Sequence, residues 1–251
     1  MDKPTLGGIV FCIDPIKYDY SIKESIECLA EMCDKVIVLD AGSKDGSVEL
    51  LKTLESDKVK LVCLERGRYW DQIRGREKLS FFQNMALQYL DTDYYYLQQA
   101  DECTHQDSFK HIREAINSGH EAFMVTRHNL WGDCDRMLNV SWDRQPCSTQ
   151  VIRLAKTNYT SWDDGESIGC NNVCMDWMDK IVMLHYGFVR KKEIMKEKII
   201  NMQSRVFEID YDRKLDGMDV FDYTAWHSDE VLVPIPCIHP KFMQEWVKTR
   251  P

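Results

Sequence analysis

Two adjacent acids, Asp101 and Glu102, end the apolar run Y-Y-Y-L-Q-Q-A, and a glutamine, Gln99, stands two places before the first of them. A carboxylate at the mouth of a buried segment can bind a cation or hold a polar ligand. Three other stretches have residues suited to the same work. Asp40-Ala-Gly-Ser-Lys-Asp-Gly-Ser47 combines acids with glycines that permit close backbone approach and a serine, Ser43, able to turn back on the main chain. The helix opening near Ser47 presents free N–H groups, so the segment reads either as a well-capped turn or as part of a ligand cradle. It matches neither the G-x-G-x-x-G fingerprint nor a Walker loop. Asp163-Asp164-Gly165-Glu166 is a second acidic loop, and His185 follows a short apolar strand, where it reads as a structural histidine or as a ligand.

These residues need a scaffold, and hydrophobic periodicity supplies one. Short apolar, β-branched runs at 8–13, 36–39, 59–64 and 94–98 have the character of strands buried on both faces. Between them lie stretches of helical spacing: Ile22, Ile26 and Leu29 after the candidate cap Ser21; Val48, Leu51 and Leu54; and Leu79, Phe82, Met85 and Tyr89. Strands alternating with helices imply right-handed crossovers, a mainly parallel central sheet and helices on both faces. Ligands in such sheets bind beyond the carboxyl ends of the strands, which is where Asp14, the 40–45 cluster and Asp101-Glu102 fall. After about residue 127 the rhythm is lost. Residues 127–150 read as irregular, 151–154 and 181–184 as strands, 162–170 as a loop and 190–207 as a helix.

Composition narrows the classes. The 251 residues are 44% hydrophobic, enough for a sizeable core, and the net charge of -9 is interspersed along the chain, which does not favour nucleic acid or an anionic membrane as partner. The ten cysteines form no Cys-x-x-Cys pair and read as reduced, mostly buried thiols of a cytoplasmic protein; Cys170 and Cys174 make a poor zinc signature. No apolar run reaches the roughly 20 residues that a transmembrane helix needs.

The order of apolar strand, helix, V-I-V-L-D-A-G-S-K-D-G-S, third strand and Y-Y-Y-L-Q-Q-A-D-E resembles the catalytic half of family 2 glycosyltransferases of the GT-A fold, as in enzymes that build bacterial surface polysaccharides. The match covers roughly residues 7–105 and continues weakly to about 200. In that family the second strand ends in Asp-x-x-Ser-x-Asp-Gly-Thr and the fourth in Asp-x-Asp. The resemblance implies a GT-A domain over 1–207, with a nucleotide-binding half to about 105 and an acceptor half beyond it, followed by a C-terminal extension over 208–251. It implies metal-dependent transfer from a nucleotide-sugar donor to a saccharide or lipid-linked acceptor, with inversion. The alternative is a protein of the same fold that binds a nucleotide-sugar or glycan with little or no turnover. A nucleotidyltransferase fits less well, because I-D-P-I-K-Y-D-Y is not a Gly-rich basic loop.

By position, Asp40 resembles the aspartate that contacts base or ribose, with Asp14 and Ser43 beside it, and Asp101 resembles the metal-binding acid. Gln99 replaces the first acid of Asp-x-Asp; its amide can bond a ribose hydroxyl but brings no charge to a metal. His185-Tyr-Gly-Phe-Val-Arg190, followed by a helix with Met195 and Lys198, resembles the segment that completes the metal site, for Mn²⁺ or, with oxygen ligands alone, Mg²⁺. Arg74 and Arg76 are candidates for the diphosphate, and Asn84 resembles the Asn of the family's R-N-x-A/G-L helix. Glu166 is the first candidate for the base that deprotonates the acceptor, and Asp164 the second. Trp131, Trp142 and Trp162, among Arg127, His128, Arg136 and Arg144, read as core packing or as a sugar-stacking groove. The donor base and sugar, the acceptor, the inverting or retaining outcome, the effect of Gln99 on the activity of the site and the oligomeric state are open.

Overall fold

The computed structural model describes residues 3–140, 147–203, 215 and 217–250. The first half alternates as its periodicity predicts: β1 (Leu6–Cys12), α1 (Ile22–Met32), β2 (Lys35–Asp40), α2 (Ser47–Lys52), β3 (Val59–Cys63), α3 (Lys78–Leu87), β4 (Tyr94–Leu97), β5 (Glu102–Thr104) and α4 (Ser108–Asn117). β3, β2, β1 and β4 lie side by side and parallel. Successive residues of β1 and β2 point to opposite faces. Val10, Val36 and Val38 pack with Ile22, Ile26 and Leu29 of α1 and Ile112 and Ile116 of α4. Ile9, Ile37 and Leu39 pack with Phe82, Ala86 and Leu87 of α3 on the other side. Helices therefore cover both faces of a largely parallel α/β sheet, the GT-A-type arrangement, and the strands are apolar at nearly every position.

The second half extends the sheet. β6 (Ala122–Trp131) is followed by β7 (Arg136–Leu138), β8 (Gln150–Lys156), β9 (Ser161–Trp162), β10 (Ser167–Ile168), β11 (Val173–Cys174) and β12 (Val182–Phe188). β8 runs antiparallel between β4 and β6. The distal part of β6 pairs parallel with β12, which in turn pairs antiparallel with β5, so that His185 lies opposite Glu102. Residues 127–131, expected to be irregular, are thus strand. Two of their polar residues hid the pattern because they face buried partners rather than solvent: Arg127 the carboxylate of Glu102, and Asn129 the ring of His185 and the Cys147 carbonyl.

α5 (Lys192–Lys198) continues into a π-helical turn, Ile199–Gln203, so the expected helix over 190–207 begins two residues later and changes its winding after Lys198; 204–207 lie outside the described residues. The expected boundary at 207/208 lies outside the described residues. Beyond it, α6 (Tyr223–Trp226), β13 (Leu232–Pro234) and α7 (Gln244–Val247) return to the body of the molecule: β13 pairs with β7, and Met243 and Trp246 pack with Cys28, Leu184 and Tyr186. Among the described residues no helix is long and apolar enough to cross a membrane.

Candidate active site

A pocket opens at the carboxyl ends of β1 and β4. Phe11, Cys12 and Ile13 line it from β1 and the turn after it, and Gln99, Ala100 and Asp101 from the turn after β4. Asp164 and Glu166 come from the turn joining β9 to β10, His185 and Phe188 from β12, Lys198 from α5, and Tyr20, Leu79 and Cys147 complete the wall. The chain thus gathers five of its sequence candidates, Gln99, Asp101, Asp164, Glu166 and His185, into one concavity.

Asp101 is 5% exposed and bound to two cations: Arg190 Nη2 and Lys198 Nζ each lie 3.1 Å from its Oδ2. Burial pushes its carboxyl up, but the charges of Lys198, His185 and Arg190 outweigh that effect and hold it below the ordinary carboxylate range. His185 is buried, and its Nδ1 lies 3.0 Å from Asn129 Oδ1. A carbonyl oxygen can only accept, so Nδ1 carries the proton and Nε2 is bare. Burial lowers the ring's pKa to about 4, so it is neutral at pH 7. Nε2 lies 3.7 Å from Asp101 Oδ1, and Gly187 packs so closely over the ring that a Cβ there would overlap Nε2.

Glu102, fully buried, faces away from this set. Its Oε1 accepts from Arg127 Nη1 at 3.1 Å and Arg153 Nη2 at 2.5 Å, and its Oε2 from the Gln99 N–H at 2.8 Å. Arg127 also donates from Nη2 to Glu166 Oε1 at 3.1 Å, and the Ser148 N–H donates to Glu166 Oε2 at 3.1 Å. Burial raises the Glu166 pKa, but Arg127 and the Ser148 N–H bring it to about 2. Both oxygens of Glu166 are therefore engaged. Asp164 is held more loosely: Oδ1 accepts from the Glu166 N–H at 3.1 Å, and Oδ2 lies 3.3 Å from Nη2 of the exposed Arg76.

The Mn²⁺ or Mg²⁺ implied by the resemblance needs donors and negative charge, and this set fits such an ion poorly. Among the described residues no three His, Cys, Asp or Glu side chains cluster as a metal group. Asp101 is the one carboxylate at the family's motif that faces the pocket, Gln99 brings no charge, and Asp101 already carries two cations. Unit charges about 4 Å apart interact by about 4 kcal/mol at an effective dielectric near 20, so a divalent ion meets about 8 kcal/mol from each such neighbour. The two cations already on Asp101 offset the attraction of its single charge, and the pocket's other carboxylates, Asp164 and Glu166, are themselves paired with Arg76 and Arg127.

Other candidates lie elsewhere. Asp40 is fully buried and staples its own loop, its Oδ1 accepting from the N–H groups of Gly42 at 2.9 Å and Ser43 at 2.8 Å. The Ser43 hydroxyl donates to Asp40 Oδ2 and accepts from the Asp14 N–H at 2.7 Å. Asp14 binds Arg66 Nη1 at 2.7 Å, a partner that the sequence reading missed. This cluster stands beside the pocket rather than lining it. Asn84 holds Ser161 through both backbone groups, at 2.9 and 2.8 Å, so its visible role is to fix the β9–β10 hairpin. Arg74 is exposed, and Arg76 pairs at the rim with Asp163 at 2.9 Å.

Of the two readings of the tryptophans, core packing holds for Trp131, and among the described residues no shared groove joins it to Trp162. Trp131 is 1% exposed and packs on Phe188, Phe221 and Tyr223, whereas Trp162 is 73% exposed. Arg136 binds Asp133 and Asp229 away from the pocket. Trp142 and Arg144 lie outside the described residues.

No family model matches this sequence, and no curated protein matches it. Structures of S. aureus TarS are among the solved structures that align with this chain. The crystal structure of S. aureus TarS 1-349 aligns at 13% identity over 61% of this chain and 47% of that one, with a TM-score of 0.43. TarS 1-349 in complex with UDP gives 14%, the same coverage and 0.42. The crystal structure of S. aureus TarS gives 14% over 78% of this chain and 40% of that one, with 0.46. The chain spans less than half the length of the structures it matches. At these identities and scores no residue role and no activity passes from them to this chain.

Proposed function

We propose that this chain is a glycosyltransferase that moves a sugar from a nucleotide-sugar to a hydroxyl of a saccharide or lipid-linked acceptor, with inversion. The observation that carries the reading is the convergence, at the carboxyl ends of β1 and β4, of Gln99 and Asp101 with Asp164 and Glu166 from a separate hairpin. Inverting transfer needs a carboxylate on the side of the sugar opposite the leaving diphosphate. That group takes the acceptor's proton as its oxygen bonds to the anomeric carbon, and the electron pair of the breaking C–O bond goes to the diphosphate.

Asp164 is the better base. Glu166, held ionised by the buried Arg127 at a pKa of about 2, is a weak proton acceptor and serves to hold Arg127 and the loop around Ser148. Gln99 has an amide on the pocket wall suited to a sugar hydroxyl.

The test is to incubate the protein with UDP-, GDP-, dTDP- and CMP-sugars and follow release of the nucleotide. Asp164→Asn should lower turnover by about 10²-fold to 10⁴-fold with donor affinity nearly unchanged. Undiminished turnover in Asp164→Asn would remove it as the base, and failure of every donor to bind or be cleaved would remove the transferase reading.

A further inference from the structure

An anionic donor entering this pocket meets three carboxylates, Asp101, Asp164 and Glu166, and needs a cation to bind against them. The buried arginines are not free to serve. Arg127 is bound to Glu102 and Glu166, and Arg153 to Glu102. Arg190 donates from Nε to Tyr18 O at 2.7 Å, from Nη1 to Tyr186 O at 3.2 Å and also to Gly187 O, and from Nη2 to Asp101, and it does not line the pocket.

Lys198 differs. Its ammonium donates to Asp101 Oδ2 at 3.1 Å and to Gly187 O at 2.9 Å. An ammonium has three N–H donors, of which these bonds use two, and among the described residues Lys198 is the buried cation on the pocket wall. The Tyr20 ring, 5.0 Å from Nζ and 4.6 Å from Arg190 Cζ, packs against both cations.

We infer that Lys198 supplies the positive charge that binds the leaving diphosphate, in the role a divalent ion has in the family this sequence resembles, so that donor binding and transfer need no metal. The inference rests on the transferase reading. As the anomeric C–O bond breaks, the charge that develops on the diphosphate oxygen is met by the remaining Lys198 N–H. Asp101 and the Gly187 carbonyl are positioning groups that aim the ammonium, and Arg190 keeps Asp101 in place. Gln99 then has a reason to be uncharged: a second carboxylate there would compete with the diphosphate for Lys198.

Calorimetric titration of the full chain with UDP, GDP, dTDP and CDP, and with the matching nucleosides, in EDTA and then in excess Mn²⁺, tests this. A diphosphate should bind equally well in both conditions. Lys198→Met should weaken it about 10-fold or more, the worth of a charge-assisted hydrogen bond, with nucleoside affinity unchanged. Lys198→Arg should restore part of the loss. If Lys198 only neutralises Asp101, the double variant Asp101→Asn/Lys198→Met would recover diphosphate affinity; on the inference it stays weak. Binding that requires Mn²⁺, or a recovered double variant, overturns the inference and leaves the transferase reading standing. No binding of any diphosphate in either condition overturns both.

Discussion

Asp101 and Glu102 are neighbours with opposite commitments. Asp101 points to the pocket and its lysine, and Glu102 points into the sheet, where two arginines at zero exposure share it. Removing one partner of a buried pair leaves an uncompensated charge, which typically costs about 3–5 kcal/mol. Glu102→Gln should therefore lower unfolding stability by about that much, measured by urea denaturation with circular dichroism. A loss within about 0.5 kcal/mol, as at an ordinary surface site, would mean that water or another acid reaches Arg127 and Arg153. The acid pair was legible in the sequence because it interrupts an apolar run. Its partners were not, because Arg127 and Arg153 come from 25 and 51 residues away, and Arg190 and Lys198 from 89 and 97. Glu166 shows the same limit: its type and loop suggested a base, and only its contacts with Arg127 and Ser148 argue for Asp164 instead.

Local periodicity specifies the elements of the first half because the inner strands β1, β2 and β4 are buried on both faces and the helices between them carry an apolar stripe. β6 escaped that reading since its inward residues include Arg127 and Asn129, polar groups made tolerable by Glu102, Ser148 and Cys147. The loop between β2 and α2 was legible in its glycines, and two of them separate backbone strain from crowding. Gly42 and Gly46 both have left-handed φ, +99° and +92°. A Cβ on Gly42 would sit 2.5 Å from Arg66 Cβ and 2.6 Å from its backbone, whereas on Gly46 the nearest atom is Ile16 Cδ1 at 4.0 Å. Gly46→Ala should cost only the left-handed term, about 1–2 kcal/mol. Gly42→Ala should cost distinctly more, and should also loosen the Arg66–Asp14 pair that steadies the pocket's edge. Thermal unfolding of the two variants side by side checks this; equal losses would show that the β3 end gives way without penalty.

At the scale of the whole molecule, charge is concentrated where the two halves of the sheet meet: the turn after β4 and the start of β5 bring the acids, β6, β8 and the segment after β12 the arginines, and α5 the lysine. An arrangement of this kind ties folding to pH. Glu166 has a folded pKa of about 2 against 4.5 for the free side chain, and Asp101 and Glu102 are lowered as well. A carboxylate whose pKa is depressed by folding contributes stability that is present above its unfolded value, here about 4.5, and that is lost as pH falls toward about 2. At about 1.4 kcal/mol per unit, Glu166 alone contributes on the order of 3 kcal/mol, a large part of a typical total of about 5–15 kcal/mol. Urea-unfolding stability should therefore begin to decline below about pH 6.5, where the unfolded chain protonates His185, whose ring folding holds at about 4, and fall more steeply below about pH 4.5, where these acids add to the loss. Glu166→Gln should begin less stable at neutral pH and show a shallower decline across the acid window, since the variant has no proton to take up at that position. Parallel curves for the two proteins would mean that Arg127 is not what holds Glu166 ionised, and would return Glu166 to consideration as the base.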